Sequence, residues 1–165
     1  MMRSISMKNG MQVAKQASIG IETWLCSLPQ TLQIQNVEAD PAYQQLDVDL
    51  LWTTNKACYQ VEIKGDRWHK TGNFFFETHS NKEKGTPGCF LYTQADLLFY
   101  YFIVPRDLYI LPMPSTRHWF LAHKQRFKER STTTPIGYEY YTTVGRLVSI
   151  ATVLEEVPDV LKKQL

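Results

Sequence analysis

The chain has 165 residues, of which 44% are hydrophobic and 21% charged, and its formal net charge is +2. This composition excludes an intrinsically disordered chain, and the length is sufficient for one domain with its own core. The longest apolar run, Leu97 to Val104, is too short to span a bilayer, and the N-terminus lacks the apolar stretch of a secretory signal. We therefore expect residues 1–165 to form a single cytoplasmic domain with no membrane partner.

The cysteines and histidines exclude several classes of site. Cys26, Cys58 and Cys89 cannot all pair and show no CxxC spacing, so small buried side chains in a reducing compartment are the simplest interpretation. The four histidines lack ligand spacing to these cysteines, and no zinc site is predicted. A nucleophilic triad, a P-loop and a GxGxxG motif are also missing from the sequence.

The first predicted element is an amphipathic helix. The segment Gln12 to Leu28 carries apolar residues at helical spacing, and Pro29 ends it. Glu22 lies about 100° around this helix from Ile21, and therefore near the edge of its buried face. The polar segment Asn36 to Gln44 is predicted to be a loop.

Two strands are predicted next, at Gln45–Thr53 and Ala57–Gly65, joined by a hairpin-length connection. Side chains alternate across a strand with a period of two. Glu62 and Lys64 therefore share one face of the second strand. By the same rule, Asp47 shares a face with Asp49 on the first.

The later elements alternate between strands and helices. A third strand is predicted at Asn73–His79, before the charged loop Ser80–Gly88. Thr93 is predicted to cap an apolar helix over Gln94–Tyr101. A further strand, an amphipathic basic helix and a last strand are predicted at Asp107–Met113, Ser115–Arg130 and Gly145–Val157. This order indicates one α/β or α+β domain.

The pattern that carries chemistry is Asp49, followed by Glu62, one apolar residue and Lys64. On paired strands the two carboxylates can lie side by side and hold a divalent cation such as Mg²⁺. Lys64, on the same face as Glu62, can then reach a water or a phosphate. Taken alone, however, an E-x-K triplet on a strand is more often part of a solvated charged face.

Basic residues are concentrated downstream of this triplet. They are interpreted either as phosphate contacts or as part of a solvated loop: Arg67, Lys70, Lys82 and Lys84. The basic helix around Arg117 to Arg130 is open to the same two interpretations. Glu77 either supports the site from the third strand, or hydrogen-bonds Lys70 or Ser80, or is a structural carboxylate that anchors the turn. Asp96 is interpreted as a structural acid at a helix start.

Six short motifs follow one another along the chain. They are D-L-L-W at Asp49–Trp52, V-E-I-K at Val61–Lys64, W-x-K-T-G-N at Trp68–Asn73, F-x-E-x-x-S at Phe75–Ser80, P-G at Pro87–Gly88 and A-D at Ala95–Asp96. Together this string resembles the PD-(D/E)xK nuclease superfamily. It is similar to small phage- and mobile-element-associated members, including those of the group I intron homing-endonuclease type. With the first helix, the resemblance covers Gln12 to Val104.

The resemblance implies a restriction-endonuclease-like α/β (α+β) core, with a mixed four-stranded central sheet flanked by helices, that cuts DNA with Mg²⁺ or Mn²⁺. It makes Asp49 the bridging metal ligand, Glu62 the second ligand and Lys64 the residue that orients the water. Glu22 matches a helical acid that many members place near the metal. The chain departs from the pattern because no proline precedes Asp49, and Asp47 competes with Asp49 for the metal role.

Three functional hypotheses follow. The leading one is an Mg²⁺-dependent DNA endonuclease, an enzyme that acts as a homo-dimer or higher homo-oligomer because a symmetric assembly suits a two-strand cut. The alternative is a non-catalytic DNA-binding or assembly module on a nuclease fold. The third is an interaction protein without a nucleic-acid partner, since the fold alone does not choose among functions.

Overall fold

The computed structural model describes residues 3–4 and 7–165 of the chain. Within these residues the α-helices are α1 (Met7–Ser27), α2 (Pro41–Gln44), α3 (Cys89–Tyr92), α4 (Met113–His123) and α5 (Ile150–Glu156). The strands are β1 (Arg3–Ser4), β2 (Thr31–Asn36), β3 (Leu50–Thr54), β4 (Cys58–Asp66), β5 (Asn73–Asn81), β6 (Thr86–Pro87), β7 (Leu97–Phe102), β8 (Asp107–Pro112), β9 (Lys128–Ile136), β10 (Glu139–Ser149) and β11 (Leu161–Gln164). Short 3₁₀ helices occupy His69–Thr71 and Lys124–Arg126.

The strands form two mixed sheets. The larger has six strands in the order β11-β8-β7-β4-β3-β2, and its neighbours are antiparallel except for the parallel pair β4 and β7. The smaller has five strands in the order β1-β9-β10-β5-β6. A mixed α/β class is confirmed. The larger sheet has six strands where four were expected, and three of them, β2, β7 and β11, form in segments for which no strand was predicted.

The two faces of the larger sheet are covered differently. Helix α1 lies on one face, where Ala17 and Ile21 pack with Val61 of β4 and Phe99 of β7. A Cβ on Gly65 would come within 2.8 Å of the Ala17 Cβ, so glycine permits this close approach of helix and strand. Alternate residues of β4 therefore pack in the core under α1. The residues between them project from the opposite face of the sheet.

The opposite face packs against the smaller sheet. Leu98 and Tyr100 of β7 lie in one core cluster with Phe74 and Phe76 of β5. The Tyr100 hydroxyl accepts a hydrogen bond from the N–H of Phe75 at 3.0 Å, which ties β7 to β5. Strand β4 is therefore placed beside β5, and residues that project from this face of β4 lie between the two sheets.

Four predicted elements are confirmed with shifted ends. The helix predicted at Gln12–Leu28 is α1, which starts at Met7. The strands predicted at Ala57–Gly65, Asn73–His79 and Asp107–Met113 are β4, β5 and β8. None of the described helices combines the length and hydropathy needed to cross a membrane.

The helix predicted over Gln94–Tyr101 is wrong, because this segment leads into strand β7. All residues from 98 to 102 are buried, so the run is apolar on both faces and has no period that separates a strand from a helix. Thr93 is not the N-cap of a helix but the C-cap residue of α3. Its hydroxyl accepts a hydrogen bond from the N–H of Ala95 and donates one to the carbonyl of Asp47.

Three other predicted elements have wrong limits. The basic helix predicted over Ser115–Arg130 ends at His123, and Lys128 begins strand β9. The strand predicted over Gly145–Val157 is β10, which ends at Ser149, and the side chain of Ser149 accepts the N–H of Thr152 and so caps helix α5. The strand predicted over Gln45–Thr53 begins only at Leu50, which changes the setting of Asp47 and Asp49.

Candidate metal centre

Asp49 and Glu62 meet at the start of the β3–β4 pair. Asp49 directly precedes β3, and its N–H donates to the carbonyl of Val61 at 2.9 Å. Its Oδ2 accepts the N–H of Ile63 at 2.8 Å, which holds the carboxylate against β4. The carboxyl groups of Asp49 and Glu62 interact directly. Burial raises the pKa of Asp49, and the N–H of Ile63 and the contact with Glu62 offset this effect only in part. The two predicted metal ligands are therefore brought into direct contact.

Glu62 is the most buried acid of this group. Its residue is 7% exposed, and its Oε2 is buried without a hydrogen-bond partner among the described residues. In the register of the sheet it lies opposite Leu98 of β7, on the face that meets the smaller sheet. Burial raises the pKa of Glu62 well above its ordinary value, and the nearby carboxylates of Asp49 and Asp47 raise it further.

Asp47 reaches the same place from a turn. Its φ of 54° is in the left-handed region, which aspartate tolerates better than most residues, so the strand alternation predicted for Asp47 and Asp49 is wrong. Its carbonyl accepts from the Thr93 hydroxyl at 2.6 Å, and its Oδ1 accepts from the Tyr92 hydroxyl at 3.3 Å. Its Oδ2 is buried and has no described partner. Burial, followed by the charge of Asp49, raises the pKa of Asp47 to about 6.

Cys89, the first residue of α3, completes this cluster. One carboxylate oxygen each of Asp47 and Glu62 and the Sγ of Cys89 all lie within 4.8 Å of one another. Burial raises the pKa of the Cys89 thiol, and the opposing charge of Lys64 does not offset this effect. Cys89 was not predicted as a site residue, because its sequence spacing to other ligand types follows no metal motif.

Lys64 lies two residues after Glu62 on the same face of β4, as the strand period predicts. Its Nζ lies 3.5 Å from Oε2 of Glu77, and the two side chains are 32% and 13% exposed. Burial alone would lower the pKa of Lys64, but the carboxylates of Glu77 and Glu62 outweigh it and hold the pKa above its ordinary value. Lys64 is therefore a cation at neutral pH. Glu77 lies beside the site on the third predicted strand, where it pairs with Lys64.

The cluster carries more negative than positive charge. Three carboxyl groups surround one ammonium group, and that ammonium group already faces Glu77. Buried carboxylate oxygens without donors are unfavourable, and both Asp47 and Glu62 contain one. A divalent cation accepts oxygen ligands of this kind and would favour the charged forms of these acids. The residues present therefore fit a metal ion.

Glu22 is placed elsewhere. Its Oε1 accepts hydrogen bonds from the Asn36 side chain at 2.8 Å and from the Ser18 hydroxyl at 3.3 Å. Helix α1, which carries it, packs on the sheet face opposite to Glu62 and Lys64. These contacts do not join Glu22 to the cluster, and its accessory metal role stays a prediction.

The four basic residues predicted to contact phosphate lie in connections. Arg67 follows β4 and packs over the ring of Trp68, with its guanidinium carbon 4.8 Å from the ring centroid. Lys70 is exposed in the 3₁₀ helix after β4, and Lys82 and Lys84 are exposed in the turn between β5 and β6. Their contact with a nucleic acid stays a prediction.

Two cations of the predicted basic helix are engaged within the protein. Arg117 donates to the carbonyls of Phe90, at 3.1 Å, and Thr93, and so fixes both ends of the α3 segment. Arg126 donates to both carboxylate oxygens of Glu156 at 2.7 Å. These contacts hold the fold together and favour a structural role for both arginines.

Asp96 is also structural, but for a different reason than predicted. It lies before strand β7 rather than at a helix start, and its Oδ2 accepts the N–H of Gln60 at 2.8 Å. Its own N–H donates to the carbonyl of Gln60 at 2.8 Å. This reciprocal pair sets the register with which β7 joins β4.

The chain matches none of the family models, curated proteins or solved structures with which it was compared. The functional argument therefore depends on the geometry of the cluster and on the sequence motifs.

Proposed function

We propose that this protein is a metal-dependent endonuclease of the PD-(D/E)xK type, which hydrolyses DNA phosphodiester bonds with Mg²⁺ or Mn²⁺. The observation that carries the proposal is the convergence of Asp49, Glu62 and Lys64 between two sheets. The partnerless carboxylate oxygens of Glu62 and Asp47 support it, because they offer ligand positions for a cation.

The carboxylates of Glu62, Asp49 and Asp47 would hold the cation. When bound, such an ion polarises the scissile phosphate and makes an attacking water more acidic. Asp49 keeps one oxygen on the backbone of Ile63, so it offers mainly its other oxygen, whereas Asp47 has a partnerless Oδ2. The sequence left open whether Asp47 or Asp49 binds the metal, and we propose that both residues contribute ligands.

Lys64 is the cationic residue of the proposed mechanism. Its Nζ is held by Glu77 at 3.5 Å and remains protonated at neutral pH. An ammonium group in this position can orient a water for attack and stabilise the negative charge that develops on the phosphate. Glu77 fixes the ammonium group without contacting the reacting atoms, and so acts as a positioning residue.

DNA is proposed as the substrate on the basis of the motif string and of the exposed cations in the connections that follow β4 and β5. Lys70 follows the strand that carries Lys64, and Lys82 follows the strand that carries Glu77. Cations at such positions bind a phosphate backbone without reading its sequence. A homo-dimer is proposed because two copies related by a two-fold axis would present one centre to each strand.

The test is cleavage of supercoiled plasmid with Mg²⁺ or Mn²⁺. Glu62→Gln and Lys64→Met should each reduce the cleavage rate by about a hundredfold or more. The matched controls Glu155→Gln and Lys56→Met change exposed residues outside the cluster and should retain the wild-type rate. Wild-type rates in both cluster variants would remove these residues from the mechanism.

A second measurement separates the enzyme from a non-catalytic DNA-binding module. Titration calorimetry of the metal-free protein with Mn²⁺ should show binding that Glu62→Gln weakens and Glu155→Gln does not. Cation binding together with metal-dependent cleavage supports the enzyme. DNA retention that depends on salt, without cleavage by the metal-loaded protein, would support the binding module instead.

A further inference from the structure

A thiol lies at the edge of the carboxylate cluster. The Sγ of Cys89 and one oxygen each from Asp47 and Glu62 are mutually within 4.8 Å, although the sequence shows no metal motif that joins these three residues. Two ligands of a tetrahedral zinc ion, at about 2.0–2.3 Å each, are about 3.3–3.8 Å apart. The three atoms, which lie within 4.8 Å of one another, therefore contact one ion after they move together by about 1 Å.

The surroundings also point to a cation as the ligand. Glu62 is more than nine-tenths buried, and its Oε2 has no partner among the described residues. Oδ2 of Asp47 is buried and partnerless in the same cluster. A divalent cation would satisfy both carboxylate oxygens. Because soft thiolate ligands favour cations of borderline softness over Mg²⁺, the sulfur indicates a cation of that kind.

We propose that Asp47, Glu62 and Cys89 form a binding site for a thiophilic divalent cation, represented by Zn²⁺, with the Sγ of Cys89 as a direct ligand. On binding, the thiol releases its proton to solvent and the thiolate coordinates the ion. The set supplies one sulfur and two carboxylate ligands, which leaves a fourth position of a tetrahedral ion for water. Arg117 stabilises this arrangement indirectly, because it holds the α3 segment that begins at Cys89.

The site shares Glu62 with the proposed nuclease centre. An ion bound by Cys89 would therefore exclude Mg²⁺ from its place beside Glu62, and Zn²⁺ would act as an inhibitor of cleavage. This consequence alone depends on the proposed function. The binding site itself is independent of DNA and of catalysis.

Cobalt absorption spectroscopy tests the proposal on the full chain without DNA. Co²⁺ added to the metal-free wild-type protein should produce a thiolate-to-metal charge-transfer band in the near ultraviolet, and Zn²⁺ should displace it. Cys89→Ser should abolish the band, and Glu62→Gln should weaken Co²⁺ binding by about tenfold or more. Cys26→Ser and Cys58→Ser change exposed cysteines outside the cluster and should keep the band.

A measurement on the wild-type protein makes the test independent of how the variants fold. Alkylation with a small thiol reagent, mapped by mass spectrometry, should be slowed by Zn²⁺ at Cys89 and unchanged at Cys26 and Cys58. A Co²⁺ spectrum without a thiolate band, a band that persists in Cys89→Ser, or unprotected alkylation of Cys89 would each overturn the proposal. Such results would leave the proposed nuclease intact, whereas loss of plasmid cleavage alone would leave the Cys89 site intact.

Discussion

The ammonium group of Lys64 lies 3.5 Å from Oε2 of Glu77, and the two residues belong to different sheets. Strand β4 supplies the cation and β5 the carboxylate, so the ion pair fixes the position of Lys64 relative to Glu62. The pair is partly shielded from water, with side chains 32% and 13% exposed, and is therefore less screened than a surface ion pair. A proposed catalytic side chain is thus held in place from the opposite layer of the protein.

The first prediction concerns this positioning. Glu77→Gln should lower kcat for plasmid cleavage by about tenfold to a hundredfold, because the ammonium group loses its fixed orientation. The KM for DNA should stay unchanged, since Glu77 does not contact substrate. In a Lys64→Met background the same substitution should have no further effect. A loss of equal size in both backgrounds would show that Glu77 acts independently of Lys64.

The second prediction concerns stability and pH. The folded protein keeps a proton on Asp47 up to a pH near its pKa of about 6, whereas the unfolded chain releases this proton near 3.8. The folded state therefore binds more protons between these values, and stability falls as the pH rises through this window. From pH 5 to pH 8 in metal-free buffer, Asp47→Asn should reduce the loss in unfolding free energy by about 1 kcal/mol, because about one pH unit of this window lies above pH 5.

Urea denaturation at both pH values measures this difference. The matched control is Asp159→Asn, which also changes an aspartate with positive φ but at an exposed position. The control should reproduce the wild-type pH dependence. An Asp47→Asn variant that loses as much stability as the wild type would show that the Asp47 carboxyl does not take up a proton in the folded state.

The third prediction separates phosphate contacts from structural cations. Alanine substitution of Lys70, Lys82 or Lys84 should each reduce the slope of log DNA affinity against log salt by about 1. Arg117→Ala should leave this slope unchanged but lower the unfolding free energy by about 1–3 kcal/mol, because two carbonyls lose a charged donor. Fluorescence anisotropy over a salt series measures the slope. A changed slope only in Arg117→Ala would reverse the assignment.

Much of this arrangement follows from sequence rules. The period of two in β4 predicts that Glu62 and Lys64 share a face, and apolar spacing predicts helix α1. Strand β7 could not be predicted in this way, because its buried residues give it no periodicity. A continuous apolar run of this length is compatible with either element, and only the pairing of β7 with both β4 and β8 decides between them.

The missing members of the site depend on tertiary structure. Asp47 enters the cluster through a left-handed turn, and no alternation rule describes such a position. Cys89 enters the cluster because its neighbour Gly88 lies close to the backbone of Glu77. This contact joins residues that are eleven positions apart in the chain. Glu22 shows the opposite case: it has the helical position that the motif implies, but its side chain accepts hydrogen bonds from Asn36 and Ser18.

The fourth prediction tests this approach. A Cβ on Gly88 would lie 2.4 Å from the Glu77 carbonyl oxygen. Relief of this clash would require a shift of the backbone, which costs free energy. Gly88→Ala should therefore lower the unfolding free energy by about 1–3 kcal/mol. Gly10→Ala, at an exposed helical position with nothing within 4 Å, should instead raise it by about 0.5–1 kcal/mol. Thermal melting of both variants measures these changes in stability. A Gly88→Ala variant as stable as the wild type would contradict the close contact.

The most direct test of the central claim is anomalous diffraction from crystals of the protein soaked with Mn²⁺. The account predicts an anomalous peak in contact with the carboxylate of Glu62 and with Asp49, Asp47 or both, while Lys64 stays outside the ligand set. A saturating soak that places no Mn²⁺ at Glu62, or that places it only elsewhere on the molecule, would contradict the proposed metal centre.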